Sequence, residues 1–422
     1  MKKMVCLLLV AVLLCGMGSF AVAEQAQSIT LMASQNWIKD VDRELFKAFE
    51  KETGIEVKIL VTPDNGYDTL LGTSLAGGSN AIDLFMYSAG SMMVSAGIPE
   101  IALDLSGEEW VARLEDWAKS VNSYQEKLYG FSTWGVDYEG ILYNKTLFAE
   151  NSLTVPTTWA EFMALCDKLL ELGKMPLYEA LNGVWHAQSW AYGCTPLMLA
   201  EDPDFVAKMN AQEKGFADSP VFLAALGQIK ELLSAKNDKN EPKYFVNDGQ
   251  AEDWFGSYPA LVGRECAMLF TYSAYAAELA TNGSKDEWGM FPVPLQDNQT
   301  AVANGGGISK FINKNSSCIE ESKMLLNFLA RDENLETYYK ARTDLVSSAF
   351  KDVESVSATT ATTDMLANSK GEIPVMFIKD VNFWDTDVYM YMQGFANNTV
   401  TPEEFAQNCD NYRATMFEAA AE

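Results

Sequence analysis

The segment from residue 28 to residue 61 changes its hydrophobic period twice, and that change limits the architecture more than any other feature of the chain. Ser28–Met32 reads as a short strand. From Asp40 to Thr53 the apolar residues Val41, Leu45, Ala48 and Phe49 return at spacings of four, three and one, the single face of a helix. Gly54 stands where a left-handed C-terminal cap is wanted. Ile55, Val57, Ile59 and Val61 then alternate with Glu56 and Lys58, a strand of period two. Strand, helix and strand at this spacing predict a βαβ unit. A second unit follows, with a helix from Gly66 to Ala76 and a buried strand at Ala81–Met86. In open α/β sheets ligands bind beyond the carboxyl ends of strands. Trp37 and Tyr87 both occupy such positions.

Gly130–Trp134 and Glu139–Tyr143 read as strand segments around a break at Gly135. "VPTTWAEFMALCDKLLELG" then opens a helix, with Thr158 and Glu161 spaced as a capping box. Helices dominate to about residue 260. Strands return at Arg264–Phe270 and Trp288–Val293, and "ANGGGISKFI" is a glycine-rich turn into another. Residues 331–422 read as mostly helical. This order is not two domains in series. It predicts two α/β lobes with the chain crossing between them more than once.

The N-terminus is a separate object. Lys2 and Lys3 precede an apolar run from Val5 to Leu14, and Ala21-Val22-Ala23 forms a small-x-small cleavage site. Export with cleavage after Ala23 is expected. Cys15 offers a lipoprotein alternative, but the residue before it is Leu14, not a small one. Loss of Lys2 and Lys3 takes the formal net charge from −27 to −29. Such a surface repels nucleic acid and anionic lipid. Five cysteines remain, none in a CxxC pattern, and mostly buried thiols are expected. His186 is the one histidine, which removes His-rich zinc sites and leaves a Ser-His-Asp system hanging on one residue. No cofactor is implied. "NGGGISK" lacks the Gly-Lys-Ser/Thr ending of a phosphate loop.

Six stretches, in order, resemble the extracellular solute-binding proteins of bacterial ABC transporters, in the carbohydrate-binding branch that includes maltose- and glycerol-phosphate-type binders. They are "LFKAFEKETGIEVKI", "DLFMYSAG", "YGFSTWGVDYEGILYNKTLF", "VPTTWAEFMALCDKL", "GRECAMLFTYSAY" and "FPVPLQDNQTAVANGGGIS". The resemblance implies two α/β lobes joined by a hinge, a ligand held in the cleft and delivery to a membrane permease. The expected division is 24–134 plus about 295–345 for lobe 1, and 135–294 plus about 346–422 for lobe 2. A monomer is expected.

Sugar recognition needs flat aromatic faces and fixed hydrogen-bond partners for hydroxyls. Trp134 and Asp137, on the segment that crosses the hinge, offer one of each. Trp37, Tyr87, Tyr272 and Ser273 are candidates by their places after strands. The resemblance adds Asp68 and Trp185. Gly305 and Gly306 would let a ligand approach the backbone. Arg342 and Trp384 complete the set. Each also has a plain structural reading, as core, turn or cap. A polyamine or a glycerol-phosphate-like solute remains the alternative ligand. A secreted glycoside hydrolase would use two carboxylates across a substrate, and Asp137 and Glu139 on one strand lack that disposition. A sensor module without transport would keep the same cleft.

Overall fold

The computed structural model describes residues 28–421, apart from 36, 64–65, 77–81, 183–184, 247–253, 306, 346, 356–358, 374–380 and 386. The expected export segment, with Cys15, lies outside the described residues, as does Gly306.

Thirteen strands follow in chain order among the described residues: β1 (Ser28–Ser34), β2 (Glu56–Thr62), β3 (Leu84–Ser88), β4 (Ser123–Tyr124), β5 (Lys127–Leu128), β6 (Gly130–Ser132), β7 (Val136–Asn144), β8 (Met175–Leu177), β9 (Cys266–Tyr272), β10 (Trp288–Phe291), β11 (Thr300–Gly305), β12 (Ile308–Ile312) and β13 (Gly371–Ile373). The opening unit forms as its periodicity demands. The helix Asp40–Thr53 buries Val41, Leu45, Phe46 and Phe49, and Gly54 closes it at φ 77°, donating its N–H to the Glu50 carbonyl. β1 and β2 pair in parallel with Ser28 opposite Glu56. β1 also pairs in parallel with β3, which gives the start of a sheet ordered β2-β1-β3-β12-β6.

A second sheet runs β13-β11-β7-β9-β8, with β10 also on β7. The long strand β7 is its spine: Ile141–Asn144 pair with β10, Val136–Glu139 with β11, and β9 lies along the opposite edge. Each sheet has its own cores. Phe46, Phe49, Trp110, Phe131 and Tyr339 fill one side of the first. Phe162, Trp190, Phe222, Phe270 and Trp384 fill one side of the second.

The chain passes between the sheets at 133–135, between β6 and β7, and again between Gly305, the end of β11, and Ile308, the start of β12. A third passage lies between Val353, in the first sheet's core, and the helix Thr360–Asn368, which packs on the second. The first passage leans on the stretch before the third. Val136 bridges to Ser347, and a Cβ on Gly135 would stand 1.6 Å from the Ser347 carbonyl oxygen, so glycine is required there. Pairing moves two expected boundaries. β11 lies in the second sheet, so residues 300–305 leave the 295–345 piece. Leu345, Ala349, Phe350 and Val353 pack in the first core, so that piece runs past 345.

Cys166, Cys194, Cys266 and Cys409 are buried free thiols, and Cys318 is half-buried. The capping box is shifted. The Thr158 hydroxyl accepts from the Glu161 N–H, but the Glu161 carboxylate accepts from the N–H and hydroxyl of Thr157. No helix among the described residues is long and apolar enough to cross a membrane.

Candidate ligand-binding cleft

The ends of β1 and β3 carry the first lobe's face. Trp37 sits edge-on to Tyr67, with ring centroids 4.8 Å apart, and Tyr67 stacks on Tyr87 at 6.5 Å. The Tyr67 phenol donates inward to the Met86 carbonyl at 2.5 Å, which pins the cluster to the strand ends. Burial raises the Tyr87 pKa, and the nearby carboxylate of Asp68, in the first turn of the helix Tyr67–Ala76, adds to the rise. Three of the expected residues, Trp37, Asp68 and Tyr87, are therefore brought together.

The second lobe presents an aromatic wall at the end of β9. Tyr272 stacks on Trp254 at 6.0 Å and donates to Glu278 at 3.1 Å. Tyr258 donates to the other oxygen of Glu278 at 2.5 Å. Tyr275 stacks on Tyr258 at 5.0 Å. Of these only Tyr272 was read from the sequence. Trp254, Tyr258 and Glu278 were missed, because the sequence signal is only an aromatic pair four residues apart and an acid six residues after Tyr272.

Between the two faces lies the hinge. One oxygen of Asp137 accepts from the Ser273 hydroxyl and from the N–H groups of Ala274 and Tyr138, both at 3.0 Å. Burial raises its pKa to about 7; the Ser273 bond opposes the rise, and the charge of Asp344 across the hinge adds to it. Ser273 is fully buried, and it also accepts from the Tyr138 N–H, so it serves as the support of Asp137.

Trp134 is enclosed differently from the expectation. The Arg342 guanidinium lies 4.8 Å and the Lys39 ammonium 5.4 Å from its ring centroids, and a Cβ on Gly307 would stand 2.5 Å from its Cε3. A pyranose that stacks here has to displace one of these groups, so the indole acts first as a brace of the hinge. Arg342 is buried and committed: its Nε and Nη2 bond Asp344, and its Nη1 bonds the Tyr338 phenol at 2.8 Å. It is a structural clamp, not the ligand contact expected.

Trp384 is corrected in the same way. It has no exposed surface, donates its indole N–H to Gln188 at 2.9 Å and meets Phe216 edge-on. Packing on the second core, which no local repeat around it reveals, takes it from the cleft. Trp185 opens the short turn Trp185–Gln188, but its side chain lies outside the described residues. Next to it His186 is buried against Trp254, and burial lowers its pKa to about 4, so it is neutral near pH 7. Gly305 pairs with Val136 at the end of β11.

Lys39 of the first lobe is close enough to feel the charge of Glu278 of the second. Burial lowers the Lys39 pKa, and Glu278 partly restores it. Behind the wall, Glu179 is fully buried with both oxygens facing the Trp190 indole N–H, at 3.1 and 3.2 Å, and burial raises its pKa to about 8.

Asp137 and Glu179 hold protons more tightly folded than unfolded, where carboxyls titrate near 4. The folded state therefore binds more protons between about pH 4 and pH 8, and stability falls as pH rises through that window. Melting temperature is expected to drop between pH 5 and pH 9 more steeply in the wild type than in Asp137→Asn/Glu179→Gln. Equal slopes would show that neither carboxyl carries the effect.

The family of bacterial extracellular solute-binding proteins matches residues 37–336. The multiple sugar-binding protein of Streptococcus mutans serotype c is 25% identical over 317 residues, 72% of each chain. Among solved structures, a solute-binding protein of an ABC transporter from Thermotoga lettingae TMO, bound with α-D-tagatose, superposes with a TM-score of 0.71 at 17% identity, covering 92% of this chain and 99% of that one. An ABC substrate-binding protein from Listeria monocytogenes in complex with cycloalternan gives 0.69 at 18% identity, covering 93% and 99%. A sugar transporter protein from Bacillus licheniformis in complex with stachyose gives 0.66 at 18%, covering 92% and 100%. With two lobes, a hinge crossed more than once and a match over most of its length, the chain belongs to the bacterial extracellular solute-binding protein family.

Proposed function

We propose that this protein is the substrate-binding component of an ABC importer, which captures a sugar or oligosaccharide between its lobes and delivers it to a membrane permease. One observation carries the reading. Aromatic rings from both lobes, Trp37 and Tyr87 on one side and Trp254 and Tyr272 on the other, stand beside carboxylates, Asp68 and Glu278, that can accept from sugar hydroxyls. The names of the relatives agree. A glycerol-phosphate-like anion is disfavoured, because the hinge cations Lys39 and Arg342 lie over Trp134 and beside carboxylates. The reading includes export with cleavage after Ala23, loss of Cys15 with the leader, and action as a monomer that binds without turnover.

A thermal-shift panel of the mature chain tests it: D-galactose, raffinose, stachyose, chitin oligosaccharides, spermidine and glycerol 3-phosphate. A ligand at a hundred times its dissociation constant adds about 2.7 kcal/mol, a rise of a few degrees. A rise with one sugar class, without its hydrolysis, is expected. A rise with spermidine alone would keep the cleft and overturn the sugar.

A further inference from the structure

We propose that Lys39 is a specificity-determining residue of the cleft: its ammonium rests against the Trp134 ring until a sugar takes that face, and then donates to the oxygens of the bound sugar. The inference rests on the sugar reading above. Two cations lie against this one indole, the Arg342 guanidinium at 4.8 Å and the Lys39 ammonium at 5.4 Å from its ring centroids. Arg342 is bolted down by Asp344 and by the Tyr338 phenol. The Lys39 ammonium is not. Among the described residues it makes no hydrogen bond and no ion pair. Asp42, three residues on, is already engaged by the Lys310 ammonium at 3.1 Å and by the backbone N–H of Lys39 itself.

Stability does not account for a lysine at this position. Lys39 is the N-cap of the helix Asp40–Thr53 and makes no capping hydrogen bond with its side chain. N-caps favour Ser, Thr, Asp and Asn, whose oxygens accept from the first N–H groups of the helix. An ammonium has no acceptor to offer, and it stands at the positive end of the helix dipole. What the position does offer is the cleft. Lys39 comes two residues after Trp37, whose ring stands edge-on to Tyr67, and its side chain reaches Trp134 in the first passage between the sheets. It therefore joins the first lobe's aromatic face to the hinge. The Trp134 N–H is buried without an acceptor among the described residues, so what this side chain presents to a ligand is ring, not a donor.

A sugar that lays its C–H face on Trp134 thus meets one fixed cation and one movable one. The cation–π contact of Lys39 is weak and readily given up. The flexible four-carbon stem carries the ammonium to the edge of the sugar, where hydroxyl and ring oxygens accept from it. The protein alone leaves this donor without a partner, so an oxygen-rich ring is selected over an apolar one of the same shape.

Isothermal titration calorimetry of the wild type and Lys39→Met is the direct test, with whichever of D-galactose, raffinose, stachyose or chitin oligosaccharides raises the melting temperature. Methionine keeps the apolar stem and loses the charge. Affinity is expected to fall about ten-fold or more, with the ligand-free melting temperature unchanged or higher. Unchanged or tighter binding would overturn the donor role and leave the sugar reading standing. A lower ligand-free melting temperature would overturn it too, because the ammonium would then be a brace of the hinge. If only glycerol 3-phosphate binds, the sugar reading falls alone, so long as Lys39→Met weakens that binding. If only spermidine binds, both fall, since a cation cannot accept from an ammonium. If nothing in the panel binds, the sugar reading falls and the ligand-free melting temperature decides: a lower value in Lys39→Met overturns the inference, and an unchanged or higher one supports a charge kept for a ligand.

Discussion

Lys310→Met is expected to lower the unfolding free energy by about 3 kcal/mol, measured by urea denaturation. Lys310 lies on β12, a central strand of the first sheet, and is 1% exposed. Its ammonium sits 3.1 Å from Asp42, on the first turn of the helix Asp40–Thr53, which is also 1% exposed. The other Asp42 oxygen accepts from the Lys39 N–H at 3.1 Å. Removing the ammonium leaves a carboxylate out of water with one backbone partner and the more distant field of Arg342. The loss therefore comes from the charge left behind more than from the pair itself. Asp42→Asn/Lys310→Met is expected to regain most of it, since an amide keeps the Lys39 bond and carries no charge. A double variant as unstable as the single would mean that packing, not charge, sets the cost. Because Lys310 also lies 3.5 Å from the hydroxyl of Thr133, in the first passage between the sheets, the single variant is also expected to loosen the hinge.

Trp384→Ala is expected to cost about 3–5 kcal/mol, the largest effect among single aromatic changes here. The indole fills the second core against Phe216 and holds Gln188. Alanine leaves a cavity and takes away one of the donors to the buried Gln188 amide oxygen. Trp384→Phe keeps most of the volume and is expected to lose much less stability while leaving sugar affinity as it was. That pair of results separates a core tryptophan from a ligand-stacking one. A Trp384→Phe protein of near wild-type stability with affinity weakened tenfold or more would return the residue to the cleft.

These two residues show where sequence reading stopped. In "ISKFI" Lys310 occupies an ordinary polar place in a strand of period two, and nothing nearby says that both faces of β12 are covered. In "NFWDTD" Trp384 has no helical or strand repeat around it, so its aromatic character alone made it a ligand candidate. Both residues are buried by elements far along the chain: Asp42 is 268 positions from Lys310, and Gln188 is 196 from Trp384. Trp37, Tyr87 and Tyr272 differ in that their places are local: Trp37 comes just after β1, Tyr87 lies near the end of β3 and Tyr272 ends β9, and the end of a strand can be read from its own period.

Local periodicity and capping thus determined the βαβ opening, the helix ended by Gly54 and the alternation of strands and helices that marks the α/β class. Those features depend on residues within one or two turns of each other, and their energetics are settled by neighbours. The tertiary structure alone decided that β11 joins the second sheet, that Arg342 clamps Asp344 over Trp134, and that Glu278 gathers two tyrosines. Each of these depends on whether a polar or aromatic group finds a partner or a packed wall from another lobe. That is a matter of long-range contact, which residue type and spacing do not encode.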